Sequence, residues 1–324
     1  MNRFFSHFAS LLLLLLPVAA IAQSGDVVST VSALVLSEQA LEDEVTFLSD
    51  TLCAGRSCGE RGGAEAAFHL LRRFERYGLA ARVQSFPVSD KAGHNVLGFL
   101  PATNGSDEWV IVAAHYDGLG VLSDRLYPGA DSNASGVAVM LGLAHAGSTL
   151  SPLGYLSSRN ILFVALDAKQ LSMAGAQALW RSIEKGSLSD PTTGRRLSPS
   201  NVSLMVNLDI LGSTLEPVHR SRNDYLIMLS TDISLQRRLT EANYRSRQFM
   251  DISYDYYGSK DFTNMFLRRI GDQKVFADNG VPSVLFTSGI TTHTNKTSDT
   301  PATLDFPMLR KRALVILRWL ERVI

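Results

Sequence analysis

"FVALDAKQLSMAG", residues 163–175, decides how this chain is read. Phe163, Val164, Ala165 and Leu166 form an unbroken apolar run, the mark of a strand covered on both faces. A helical pattern resumes at Ala174, and between the two lie Asp167, Ala168, Lys169 and Gln170. In an α/β protein, residues just past such a strand face a ligand crevice. A lysine and a glutamine there pose a chemical question that the rest of the chain must answer.

The run extends back to Ile161, and similar runs occur at 109–114, 204–208 and 283–287, separated by helical patterns at 136–146 and 173–183 and followed by a closing helix over 306–324. This alternation predicts the α/β class, a mixed and mostly parallel sheet sandwiched by helices. Upstream, 29–50 reads as one amphipathic helix with acidic Glu42, Asp43 and Glu44. A second spans 63–77, with Ala67, Leu70, Leu71, Phe74 and Tyr77 at helical spacing and Gly78 as its stop. "ARVQSFPV" (81–88) alternates as a strand does, and the polar stretch 185–201 reads as a surface loop.

The first 22 residues have the pattern of a cleaved export signal: Arg3, an apolar run at 11–16, and Ala20-Ile21-Ala22 before Gln23. The apolar run is too short to span a bilayer, and the absence of cysteine at 23 argues against a lipid anchor. The expected product is one domain over 23–324, exported to the periplasm or cell exterior, with no further membrane span. Lys+Arg 31 against Asp+Glu 31 leaves no basic excess for nucleic acid. The two cysteines, Cys53 and Cys58, suit a short disulfide in an exported protein; two free buried thiols or a metal pair are the alternatives. Oligomeric state is not encoded in any of these features.

Reading the strand ends in order collects His115 and Asp117, Asp131 and Ser132, Lys169 and Gln170, Asp209, and His293. His69 and His145 read as structural or surface residues. Imidazole nitrogen with carboxylate oxygen is a zinc ligand set, and Asp117 is spaced to orient the His115 ring. In "DISYDYYGSKDF", Tyr254, Tyr256 and Tyr257 form either a binding wall or an ordinary aromatic-rich strand.

"AAHYDG", "PGADSNASGVAVMLGLA", "FVALDAKQLSMAG", "VNLDILG" and "THTNKTSDTP" resemble, in order and spacing, the five motifs of the co-catalytic di-zinc aminopeptidases. Glutaminyl cyclases and the transferrin receptor ectodomain are relatives of that family. The resemblance covers roughly residues 40–324 and implies an α/β/α sandwich. It assigns His115 and Asp209 to the first metal, His293 to the second, and Asp117 to the carboxylate behind the first histidine.

Three positions depart from the pattern. Ser132 stands where the bridging aspartate belongs, Lys169 where the general-base glutamate belongs, and Gln170 where a ligand glutamate belongs. A neutral serine bridges two dications poorly, a glutamine carbonyl is a weak zinc ligand, and an ammonium repels both ions. A one-residue slide of the backbone would let Asp131 take the bridge. In "GDQKVF", Asp272 keeps an acid, but Gly271 and Gln273 replace a serine and a histidine.

The expectation is therefore a non-catalytic member of the family, without a cofactor, that binds a peptide or protein. Lys169 is expected to pair with Asp209, Asp131 or Asp117 in place of the metals. The alternative is an active metallo-exopeptidase with an altered site and zinc at weak or partial occupancy.

Overall fold

The computed structural model describes residues 26–213 and 224–324; the export segment expected at 1–22 lies outside them. Val27–Val35 (α1) and Glu38–Ser49 (α2) are two helices where the periodicity predicts one. The break is local chemistry: the Ser37 side chain accepts from the Ala40 N–H, capping the second helix and stopping the first. Arg61–Arg76 (α3) follows, then Ala80–Val88 (β1) paired antiparallel with Lys91–Leu100 (β2).

Trp109–His115 (β3) leads to a small ribbon, Gly120–Leu122 (β4) and Arg125–Tyr127 (β5). The long helix Ser135–Leu150 (α4), Asn160–Leu166 (β6), Ala174–Glu184 (α5) and Val202–Leu208 (β7) continue the alternation. Past the second undescribed stretch come Tyr225–Ser230 (β8), Ser234–Ser246 (α6) and Asp251–Ser253 (β9). Lys260–Met265 (α7), Gln273–Asp278 (α8), Ser283–Thr287 (β10) and Phe306–Val323 (α9) complete the chain.

Eight strands form one mixed sheet in the order β1-β2-β6-β3-β7-β10-β8-β9. Its centre, β6-β3-β7-β10, is parallel throughout. Side chains along β3 alternate between two cores: Val110, Val112 and Ala114 join one apolar cluster, and Trp109, Ile111 and Ala113 the other. Helices α1, α2, α3, α4 and α9 cover the first face, and α5 and α8 the second. The result is an α/β/α sandwich with a buried central sheet.

Two sequence expectations need correction. Cys53 and Cys58 are free buried thiols in separate apolar clusters, with no disulfide between them. The segment Ala130–Leu153 is, contrary to the reading that nothing past the leader nears spanning length, long and apolar enough to cross a membrane. However, 72% of its window is buried inside the fold, and packing on the sheet accounts for its apolarity.

Candidate functional site

The four central parallel strands finish on one edge of the sheet, and the register sets what meets there. His115 pairs with Leu166, and Ala113 with Asn207, so Asp209 emerges level with His115 and Lys169 three residues past Leu166. Asn133 binds two of these strand ends together: its amide donates to Leu208 O (2.9 Å) and His115 O (3.2 Å). Its carbonyl accepts from the N–H of Ile210 (2.8 Å) and Gly136 (3.2 Å). Any Cβ at Gly136 would meet that carbonyl at 2.4 Å, which explains the glycine at the start of α4.

Asp117 holds the turn after β6. Its carboxylate accepts from the N–H of Lys169 (3.0 Å) and of Gln170 (3.1 Å). Its backbone carbonyl lies 3.1 Å from His115 Nδ1, so the residue orients both the ring and the Lys-Gln dipeptide. Ala168 takes a left-handed φ of 57°, with its N–H donated to the Asp167 carboxylate at 2.7 Å. Asp299 does the same for the other wall, accepting from the N–H of Asp131 (2.7 Å) and Ser132 (3.1 Å).

At the centre, Lys169 Nζ donates to Asp209 Oδ2 at 2.5 Å and lies 3.1 Å from His115 Nε2. Nε2 is in turn 3.3 Å from Asp209 Oδ1. Burial alone would raise the Asp209 pKa, but Lys169 and then His115 outweigh it and hold the carboxyl well below the usual range. Burial likewise opposes the Lys169 charge, and Asp209 overcomes it, raising the ammonium's pKa. Burial and Lys169 disfavour the His115 imidazolium, Asp209 and Asp117 favour it, and the balance lifts its pKa to about 9. Nε2 thus either accepts from Nζ or donates to Oδ1, two arrangements that differ by one proton.

A cavity of about 410 Å³ opens over this cluster. Ser132, Lys169, Gln170 and Asp209 line it, together with Phe266, Arg269 and Ile270. Ser132 donates to Asn295 Oδ1 at 3.2 Å. Asp131 does not take the bridging place: it is buried, and its Oδ1 accepts from Gly212 N–H (2.7 Å) and Ser135 Oγ (2.9 Å). His293 is not brought to His115 and Asp209 either; its Nδ1 pairs with Ser298 Oγ at 3.0 Å, while Thr294 and Asn295 line the cavity.

A pair of zinc ions does not fit this donor set. The groups of His115 and Asp209 that would face the first ion are engaged by an ammonium, which a dication would repel. Ser132 and Gln170 bring no charge for a second ion, and Gln170 is exposed. Among the described residues, no group of three or more His, Cys, Asp and Glu side chains is disposed to hold a metal.

The remaining departures support one another. Gln273 is buried, donates to Phe266 O (2.7 Å) and Leu267 O (3.1 Å), and accepts from Asn207 at 2.8 Å. A Cβ on Gly271 would lie 2.1 Å from its carboxamide oxygen, so glycine at 271 makes room for glutamine at 273. Asp272 is fully buried with neither carboxylate oxygen hydrogen-bonded, and burial pushes its pKa up to about 6. The tyrosines form neither a strand nor an open wall. Tyr256 is buried, stacks on Phe266 at 4.0 Å and accepts from Ile290 N–H, and Tyr257 donates to Ser288 O. Tyr256 thereby supports two residues that line the cavity, Phe266 and Ile290.

Sequence reading missed Asn133, Asp299 and Arg56. The Asp-Ser-Asn and Thr-Ser-Asp triplets in the quoted motifs contained the first two.

Comparison with known proteins agrees with the fold. The family pattern described as Peptidase family M28 matches residues 95–320. The BOS complex subunit ncln of Danio rerio is 32% identical over 183 residues, which is 54% of this chain and 30% of the relative. The chain thus spans under a third of that relative's length. Among solved structures, the Legionella pneumophila LapA aminopeptidase superposes with a TM-score of 0.70 at 14% identity, covering 91% of this chain and 74% of that one. The Fimbriiglobus ruber glutaminyl cyclase gives 0.68 at 18% identity, covering 88% and 95%.

Proposed function

Because the chain belongs to peptidase family M28 while its crevice carries a lysine where the family keeps an acid, we propose that it is a non-catalytic member that binds a peptide or protein. The observation that carries this reading is the Lys169 ammonium, 2.5 Å from Asp209 and 3.1 Å from His115. It supplies the positive charge that these two groups would otherwise draw from a metal ion. A water molecule then has neither a Lewis acid to acidify it nor a carboxylate base to take its proton.

The crevice keeps its volume and its apolar wall, so binding survives where hydrolysis does not. The relatives named as BOS complex subunits support a protein or peptide ligand over a small metabolite. The leader-like residues 1–22 support export, with binding taking place in the periplasm or outside the cell.

Two measurements test this reading. Protein dialysed without chelator should hold well under one zinc per chain by elemental analysis. It should hydrolyse no aminoacyl-arylamide above a no-enzyme control, with or without added zinc. About two zinc ions per chain, or hydrolysis that a chelator abolishes, would overturn it and require a catalytic role for Lys169.

A further inference from the structure

Part of the cavity wall is one short turn, Phe266–Ile270, directly after α7. Phe266, Arg269 and Ile270 sit at i, i+3 and i+4, so one face of that turn presents two apolar side chains and a guanidinium to the cavity. The turn is held in place: Gln273 donates to two of its carbonyls, and Tyr256 stacks on Phe266 with the rings 10° from parallel. Arg269 is exposed and has no ion-pair partner among the described residues.

The charge balance of the lining is opposite to what a peptide amino terminus would need. Among the described residues, Asp209 is the one carboxylate lining the cavity, and Lys169 already pairs with it. Asp117 and Asp272 lie behind the wall, 1% and 0% exposed. Ser132, Gln170, Thr287, Thr294 and Asn295 add neutral hydrogen-bonding groups. Among the described residues, what a ligand meets is therefore one unpaired guanidinium beside an apolar surface.

Resting on the peptide-binding reading above, we infer that the cavity receives a peptide carboxyl terminus with an apolar last residue, its carboxylate held by Arg269. A planar guanidinium matches a carboxylate with two parallel hydrogen bonds, which an ammonium-bearing ligand cannot use. A volume of about 410 Å³ suits one or two residues rather than a strand running through. At a chain end the carboxylate and the last side chain enter together, as the mixed wall requires.

Calorimetric titration of the full chain with four peptides tests the inference: acetyl-leucyl-leucine, its carboxamide, leucyl-leucinamide with a free amine, and acetyl-glutamyl-leucinamide with a side-chain acid. The free acid should bind about tenfold or more tighter than its carboxamide. Arg269→Gln, at an exposed site that should leave the fold intact, should cut that preference to about twofold or less, chiefly by weakening the free acid. Added salt should narrow the wild-type preference in the same direction.

A preference for leucyl-leucinamide would overturn the carboxylate assignment and leave the peptide-binding reading standing. Equal binding of acetyl-glutamyl-leucinamide and the free acid would overturn the chain-end assignment. An acid preference that survives Arg269→Gln would overturn the role of that residue. No saturation by any of the four would remove the peptide-binding reading, and this inference with it.

Discussion

Arg56 and Lys169 are both cations in the protein interior, and they are held by opposite kinds of partner. Arg56 is fully buried and meets only neutral backbone oxygens. Nε donates to Tyr116 O at 2.7 Å, Nη1 to Leu48 O and to Pro128 O at 2.8 Å, and Nη2 to Gly129 O at 2.8 Å. Lys169 sits in a cavity wall, its side chain 19% exposed, against a carboxylate and an imidazole. Burial lowers the pKa of Arg56, yet a guanidinium stays charged because its intrinsic pKa is so high.

The difference teaches how to read a buried cation. Carbonyl partners from distant chain segments make a structural clamp, here fastening α2, the residue after β3 and the loop before α4. Ionisable partners at strand ends make a site whose charge a bound ligand can meet.

The clamp should be the costlier to break. Arg56→Met leaves four carbonyls without their donor, and the expected loss is on the order of 3–5 kcal/mol in a urea melt. A loss under about 1 kcal/mol would mean that water replaces the guanidinium, and the contrast with Lys169 would collapse.

Lys169→Met should cost less, on the order of 1–3 kcal/mol at pH 7, because the pair is partly hydrated. The folded state depresses the Asp209 pKa, so this contribution is present above the ordinary carboxylate range and fades as pH falls toward the depressed value. The gap between wild type and variant should accordingly shrink between pH 7 and pH 3. An unchanged midpoint at pH 7 would show the lysine to be merely solvated.

Much of this was legible in the sequence, for a physical reason. Strands covered on both faces are continuous apolar runs, and 109–114, 161–166, 204–208 and 283–287 fall within the observed β3, β6, β7 and β10. Strand β2 was not legible, because Gly93, His94, Asn95 and Gly98 interrupt its pattern. Tertiary partners make those residues fit: Asn95 donates to Gly175 O at 2.9 Å and accepts from Asp167 N–H at 3.0 Å. A Cβ at Gly98 would lie 2.9 Å from the Phe74 ring.

The same division runs through the site. Residues at strand ends could be collected from the pattern, but which of three carboxylates Lys169 would meet could not. Asp131 and Asp117 are engaged by backbone N–H groups from other segments, which leaves Asp209 to the ammonium. Arg56 gave no signal at all, since its acceptors are carbonyls that every residue carries.

The smallest effect is expected at Asp272, and its sign separates the two kinds of buried charge. Burial is the main cause that lifts its pKa to about 6; His115 and Lys169 pull it down without prevailing, while Asp117 and Asp209 add to the rise. A carboxyl whose folded pKa exceeds its unfolded one carries no penalty in acid. The penalty grows from about pH 4 to about pH 6 and is complete above that. A carboxyl raised to about 6 carries a penalty of about 3 kcal/mol when ionised. Asp272→Asn removes that penalty but leaves a buried amide with unmatched polar atoms, worth about 1–2 kcal/mol against it. The variant should therefore be about 1 kcal/mol more stable than wild type at pH 8 and slightly less stable at pH 4, read from urea midpoints. Equal destabilisation at both pH values would mean that the Asp272 carboxylate is a true ion-pair partner. Lys169 would then serve two anions, and its comparison with Arg56 would have to be redrawn.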